Sequence, residues 1–582
     1  MKSSIRGSDL PRFSRDFFGA GEDFSCIGQG PVGGKAAGLL QARELVSSRL
    51  TGRFLPFQVS IPRMAVVCTD VFEAFLERNG LRALVESETS DVRIAHAFQQ
   101  AALPAEVVGD LRGLVERVKS PLAVRSSSLL EDALHTPFAG VYETKMIPNS
   151  ALDVDLRFRK LSEALKFVWA TTFFRHARDY LRATGRPAQE ERMGVIVQEV
   201  VGHRYGPRYY PELSGVARSV NYYPVGSARA EDGVLSLALG LGKTIVDGGR
   251  CWSVSPARPA AAPPFASAAD RVTQTQSEFW AVHMGPPPEH DPIRETEFMV
   301  LANVADAEAD GALALVASTY DAQTDRLLPG LGRAGPRVID FAPLLVYEEL
   351  PLMELVRGLI AAGEEALGGP VEIEFAATLP GRRGDPARLG FLQVRAMAVA
   401  DQEVEVAPEE LCAPEVLLCS TAAMGNGRDE SLRDVIYVLP ERFEARNTPQ
   451  LALEIESLNR ELGEAGRPYL LIGIGRWGSS DPWLGIPVEW SQISGARVIV
   501  EVALPALAAE PSQGSHFFHN MISFGVSYLS VPLGARPGVD WDWLNRQEVV
   551  RETAGVRHVR LARPLLVKVD GRCGRAVVRR GE

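Results

Sequence analysis

Pro121-Leu-Ala-Val-Arg125-Ser-Ser-Ser128, followed by Glu131-Asp132 and then Pro137-Phe-Ala-Gly140-Val-Tyr-Glu143-Thr144, brings an arginine, three serine hydroxyls and a pair of carboxylates into one short stretch. A guanidinium group stays charged and binds phosphate oxygens in pairs, so it stabilises the charge spread over a metaphosphate-like transition state. A second cation lies upstream in Gly28-Gln-Gly-Pro-Val-Gly-Gly-Lys35-Ala-Ala-Gly38-Leu, a glycine cluster that ends in Lys35 and runs into the helical stretch AAGLLQARELV. Glycines let backbone amides approach an anion, a helix start favours negative charge, and Lys35 adds a full cation. The pattern is not a P-loop, because the four-residue gap between glycines and the Ser/Thr after the lysine are both missing. Read alone, it is equally a glycine turn beside a structural lysine.

Taken in order, residues 121–144 resemble the V-R-S-S…E-D…F-A-G…E-T block of the phosphoenolpyruvate synthase and pyruvate phosphate dikinase family. The likeness continues along the chain. Val197-Gln198-Glu199-Val200-Val201 resembles the strand and hinge that hold adenine, and Ser214-Gly215-Val216 matches the S-G-V turn. Gly240-Leu-Gly242 with Val246-x-Gly248 resembles the G-L-G-E…V-x-G segment, and Val371-Glu372-Ile-Glu374-Phe with Leu392-Gln393-Val-Arg395 matches the closing pair. The resemblance implies an ATP-grasp-like α/β (α+β) module of two parts and the cofactors ATP and Mg2+. Lys35, Arg125, Gly140, Thr144 and Gln198 would line the nucleotide, with Glu199 and Val201 in its hinge. Lys35, Arg125 and Arg395 would act on the reacting phosphates, and loss of Arg395 is expected to abolish transfer while sparing the fold. Magnesium takes oxygen ligands shared between one or two protein groups and the phosphates, which suits the Glu374 carboxylate and the Gln393 carbonyl on adjacent strands.

Two departures from that family bear on chemistry. Lys243 stands where G-L-G-E has its glutamate, and Ser253-Val-Ser-Pro256 replaces the usual P-D-x-Y. The phosphoryl-carrying histidine motif T-x-G-G-x-x-S/C-H is not recognisable, and too few residues follow Pro408 for a pyruvate-binding barrel of roughly 250 residues. The acceptor is therefore expected to be bound otherwise. Candidates in the C-terminal part are the loop Arg476-Trp477-Gly-Ser-Ser-Asp481-Pro-Trp483, since binding residues concentrate on such loops, and His516 and His519 at helical i, i+3 spacing. A neutral imidazole can carry a phosphoryl group at neutral pH. The same two histidines also read as structural residues on an aromatic helix, and His135 is a weaker acceptor contact.

At 582 residues the chain exceeds one ordinary core. Its 46% hydrophobic and 23% charged residues have the balance of a soluble globular enzyme. Expected boundaries are 1–190 and 191–400 for the two ATP-grasp parts and 408–582 for a C-terminal α/β domain. The Pro/Ala-rich passages from Pro256 and Gly285 are expected as loops. A net charge of -11 argues against a nucleic-acid partner. The cationic tail from Arg557 reads as strands with one solvated face, closing in a hairpin at Asp570-Gly571. Six cysteines without C-x-x-C spacing fit a reducing compartment. No stretch approaches the ~18 apolar residues of a membrane span, and the N-terminal residues lack the apolar core of a leader. A cytoplasmic location is expected. The reading is an ATP- and Mg2+-dependent phosphotransferase acting on a small molecule or a histidine carrier protein. It proceeds through a phosphohistidine with AMP and phosphate as products, or directly with ADP as product; a non-catalytic ATP-sensing module is the remaining alternative.

Overall fold

The computed structural model describes all residues except 1–4, 15–22, 51, 53–55, 86–88, 132–139, 184–190, 222–228, 260–270, 273–274, 381–385, 398–403, 480–484, 504–520, 522–524, 533–534, 536, 572 and 582. The chain divides into two compact units. The first comprises Met1–Ser219, Val234–Ile245 and Arg250–Met397; the second comprises Val220–Gly233, Val246–Gly249 and Ala398–Glu582.

Two sheets position the sequence motifs of the first unit. One has the strand order Phe24–Ile27, Met64–Val67, Met193–Glu199, Leu122–Ser128, Thr144–Ile147. The other runs Trp252–Val254, Val234–Ala238, Leu213–Arg218, Val371–Thr378, Arg388–Ala396, Gln58–Ser60. The sheets do not respect the boundary expected at 190/191, because Met193–Glu199 pairs with Met64–Val67 and Leu122–Ser128 in the first sheet. The early strand Gln58–Ser60 pairs in the second. Strand pairing, which joins distant segments, sets these borders.

The sequence of Val371–Thr378 shows how the second sheet sorts its faces. Side chains alternate along a strand. Ile373, Phe375 and Ala377 point into a core shared with Ala36, Leu39 and Ala42 of helix Gly34–Leu50 and Leu355, Val356 and Leu359 of helix Leu352–Leu367. Glu372 and Glu374 fall on the opposite face. Gly38 lets the helix cross closely, since a Cβ there would stand 2.8 Å from the Val394 carbonyl oxygen. The first sheet is backed by an aromatic cluster in which Phe75 and Trp169 ring centroids lie 4.8 Å apart and Phe98 lies 5.6 Å from Phe75. Residues 285–292 form neither helix nor strand, as their prolines dictate.

In the second unit, four parallel strands, Asp434–Val438, Tyr469–Ile474, Ala496–Val502 and Ser527–Val531, form the centre of a seven-stranded sheet. Helix Thr448–Glu464 connects the first two. A four-stranded antiparallel sheet accompanies it. Two details differ from expectation. Leu566–Asp570 and Arg575–Arg579 do pair as a hairpin, but Asp570 faces Arg575, so the connection is four residues long and Gly574 takes the positive φ of 67°. Of the tail cations Arg560 and Arg563 are exposed, but others are engaged: Lys568 and Arg579 converge on Glu410 at 2.9 and 2.8 Å, and Arg575 donates to the Val406 carbonyl. Among the described residues, no helix is long and apolar enough to cross a membrane.

Candidate functional site

The glycine loop is pinned against the strand that carries Arg125. Gly33 has a φ of 85°, and a Cβ there would lie 1.6 Å from the Ser127 carbonyl oxygen; a Cβ on Gly34 would lie equally close to the Glu131 carbonyl. These two glycines are thus demanded by contact with protein backbone. The Ala36 amide, in the first turn of helix Gly34–Leu50, donates to the Ser127 hydroxyl oxygen at 3.1 Å. Lys35 donates to Ser126 Oγ at 3.0 Å and pairs with Glu131 at 2.8 Å. Glu131, 1% exposed, also accepts from the Ser126 hydroxyl and the Ser128 amide. Glu131, quoted in the motif without a role, is the anchor that aims the lysine.

Arg125 connects the two sheets. From the first sheet its guanidinium donates to Gln198 Oε1 at 3.2 Å, to the Leu392 carbonyl at 2.7 Å and to Gln393 Oε1 at 2.8 Å, and it lies 3.4 Å from Glu374 Oε2. The Leu392 carbonyl is available for a definite reason. Glu374 pairs with Gln393 and Phe375 with Phe391, so Leu392 is the extra residue of a β-bulge and has no partner on the adjacent strand. Four residues singled out in the sequence, Arg125, Gln198, Glu374 and Gln393, are therefore in direct contact. One carboxylate and one amide oxygen on adjacent strands, beside the Arg125 guanidinium, make a donor set of the kind that fits Mg2+ completed by phosphate oxygens.

Arg395 sits two residues beyond Gln393 and opposite Glu372. It is 3% exposed and its guanidinium donates to Glu372, which is 1% exposed and is bonded on its other oxygen by Arg218. Burial alone would push the Glu372 carboxyl up, but the Arg218 and Arg395 guanidinium groups outweigh it and hold it below the usual carboxylate value. The expectation that Arg395 can be removed without harm to the fold conflicts with this geometry, because its loss would break a buried ionic triad.

Residues 29–413 match the family described as pyruvate phosphate dikinase, AMP/ATP-binding domain. The chain belongs to that family. Over 210 residues it is also 29% identical to the protein called uncharacterized phosphotransferase YvkC of Bacillus subtilis (strain 168), a match that covers 36% of this chain and 22% of the length of that relative. The matched family region contains every residue of the clusters just described and ends before most of the second unit.

Other expected residues of the family's motifs are more dispersed. Thr144 opens its strand directly opposite Arg125 and is half-buried. Gly140 is exposed with a φ of 65°. The Glu199 side chain is held by Arg63 at 2.9 Å and Ser120 at 3.1 Å. Val201 lies against the second sheet, its Cγ2 2.5 Å from where a Gly390 Cβ would stand. Lys243, the departure from G-L-G-E, pairs with Glu295 at 2.5 Å. In the second unit Arg476 begins a two-stranded pairing, and its neighbour Trp477 donates Nε1–H to the Val500 carbonyl at 3.0 Å. Asp132, His135, Asp481, Trp483, His516 and His519 lie outside the described residues. Among the described residues no group of three or more His, Cys, Asp or Glu side chains is placed to hold a metal.

Glu191, which no sequence motif marks, lies near Glu131 and Ser128. It accepts from the Tyr142 hydroxyl at 2.9 Å and the Arg192 amide at 2.9 Å. Burial pushes its carboxyl up to about 7. The folded protein therefore holds this proton more tightly than the unfolded chain does. The resulting stability is complete below the ordinary carboxylate value and is lost as pH rises toward 7. Each pH unit in that window is worth up to about 1.4 kcal/mol. Glu191→Gln should flatten the fall of unfolding free energy between pH 5 and 7; a parallel curve would place the titration elsewhere.

Proposed function

We propose that this chain is an ATP- and Mg2+-dependent phosphotransferase, with the first unit as its nucleotide site. The contact of Arg125 with Gln198, Glu374 and Gln393 carries the reading, because it gathers phosphate-binding and metal-binding groups at one place between two sheets. Family membership supports the nucleotide; the name of the Bacillus relative is consistent with group transfer. In this reading Glu374 and Gln393 hold the magnesium, which supplies charge neutralisation for the phosphate oxygens. Arg125 and Lys35 bind the phosphates and meet the charge that develops on the transferred group. Arg125 must first exchange some of its bonds to Glu374 and Gln393 for phosphate oxygens. Lys35 must likewise share itself between Glu131 and the ligand. Gln198, Thr144 and the Glu199–Val201 hinge orient the nucleoside. The phosphoryl acceptor is a small molecule or a carrier histidine, with His516, His519, Arg476 and Asp481 as the candidates on this chain.

Product analysis tests the proposal and separates its versions. Incubation of the protein with ATP labelled at the β and γ positions should yield AMP if a histidine takes the β-phosphoryl group, and ADP if an acceptor takes the γ-phosphoryl group directly. ATP binding with no product under any acceptor would sink the enzymatic reading and leave a sensor. Glu374→Gln keeps the shape and removes the charge, so apparent Mg2+ affinity should fall by more than adenine-nucleotide affinity. An unchanged Mg2+ dependence would put the metal elsewhere.

A further inference from the structure

Arg218 ends the strand Leu213–Arg218 on the same face of the second sheet as Glu372, which it opposes in register, as Glu372 opposes Arg395. Its side chain is 1% exposed. Nε donates to Glu372; among the described residues Nη1 and Nη2 are buried with no hydrogen-bond partner. A guanidinium cannot shed its proton to escape this situation, and a buried ionic group with unsatisfied donors is destabilising. The Glu372 carboxylate is shared, since Arg395 donates to its other oxygen.

The strand Arg388–Ala396 measures where on this face Arg218 lies. Gly390 abuts Val201 of the hinge, the Leu392 carbonyl takes Arg125, Gln393 follows, and Arg395 comes last. At about 3.3 Å per residue, Gln393 is roughly 10 Å and Arg395 roughly 16 Å from the hinge end. The Arg395–Glu372–Arg218 row is thus the end of the face farthest from the adenine hinge. We propose that Arg218 is a phosphate-binding residue of this chain, presenting the unused edge of its guanidinium to the terminal phosphate of a nucleoside triphosphate. The proposal rests on the nucleotide reading above. Glu372 acts through it as a positioning residue that holds two arginines side by side.

Calorimetric titration of wild type and Arg218→Met with the β,γ-imido analogue of ATP and with AMP, both with Mg2+, tests it. The variant should bind the triphosphate at least about tenfold more weakly, the loss expected for a charged hydrogen bond, while AMP affinity changes less than about twofold. An equal loss for both ligands, or no loss for either, would overturn the assignment and leave Arg218 as a structural residue satisfied by internal water. Wild type that binds neither ligand would sink the nucleotide reading itself, a result distinguishable from the others before any variant is made. Should Arg218→Met not fold, Arg218→Lys decides the matter: one ammonium cannot serve Glu372 and a phosphate with the geometry of a guanidinium, so the same triphosphate-selective loss is expected, and an unselective profile counts against the proposal.

Discussion

Arg125→Met is expected to lower ATP turnover about 10³-fold, at the lower end of what loss of a transition-state arginine costs in phosphoryl transfer. The reason is positional. Arg125 touches side chains or carbonyls on Met193–Glu199, Val371–Thr378 and Arg388–Ala396 at once, so it is a cation in direct contact with both proposed magnesium ligands. Methionine fills a similar length of space and cannot donate. AMP affinity should drop far less than turnover, because the contribution of the arginine is greatest where charge develops and the nucleoside is held by other groups. Steady-state turnover measured beside AMP binding checks both parts. Turnover within tenfold of wild type would move the reacting phosphates away from Arg125 and overturn the site.

Glu372→Gln should have the largest effect on stability. The substitution preserves shape but leaves Arg218 and Arg395 buried together without a counter-charge. Breaking a buried pair by removing one partner costs about 3–5 kcal/mol, a large share of the roughly 5–15 kcal/mol that holds an ordinary domain together. Calorimetric unfolding should show the transition of the first unit lowered by roughly 5 °C, with that of the second unit unmoved. Adding Arg218→Met to the same chain removes the second cation and should restore part of the loss, giving a coupling between neighbouring sites that independent positions do not show. If the double variant is merely the sum of the singles, the two side chains are not sharing one carboxylate.

The candidate site was unevenly legible in the amino-acid order. Arg125, Glu374 and Gln393 could be named because they sit in compact motifs with the chemistry of phosphate and metal binding, and the structure brings Glu374 and Gln393 within hydrogen-bond reach of Arg125. Glu131 and Glu372 were visible in the same motifs, yet nothing about their local sequence distinguishes an anchor from a ligand. Arg218 gave no signal at all: it follows Ser214-Gly215-Val216 as one more strand residue, and only its register against Glu372 reveals that it joins a charge cluster. The glycines of the Lys35 loop read as an anion cradle, whereas Gly33 and Gly34 answer to the backbone of Ser127 and Glu131, nearly a hundred positions away in the chain.

What the sequence determined by itself is local or ordered along the chain. It contains the succession of motifs, the helix that begins beside Lys35, the alternation that puts Glu372 and Glu374 on one face of a strand and Ile373 and Phe375 on the other, and the apolar runs that become the parallel strands of the second unit. Each of these depends on neighbours within a few residues, where side-chain type and backbone period suffice. Tertiary structure alone decided the partners. It placed Met193–Glu199 in the first sheet and Gln58–Ser60 in the second, opened the Leu392 carbonyl through a bulge, tied Lys35 to Glu131, and set Arg218 and Arg395 on either side of one carboxylate. Charges that meet across strands act through distance and burial, and both are properties of the folded chain: the same glutamate is an ordinary acid in an extended peptide and an ionised keystone once water is excluded and two guanidinium groups close on it.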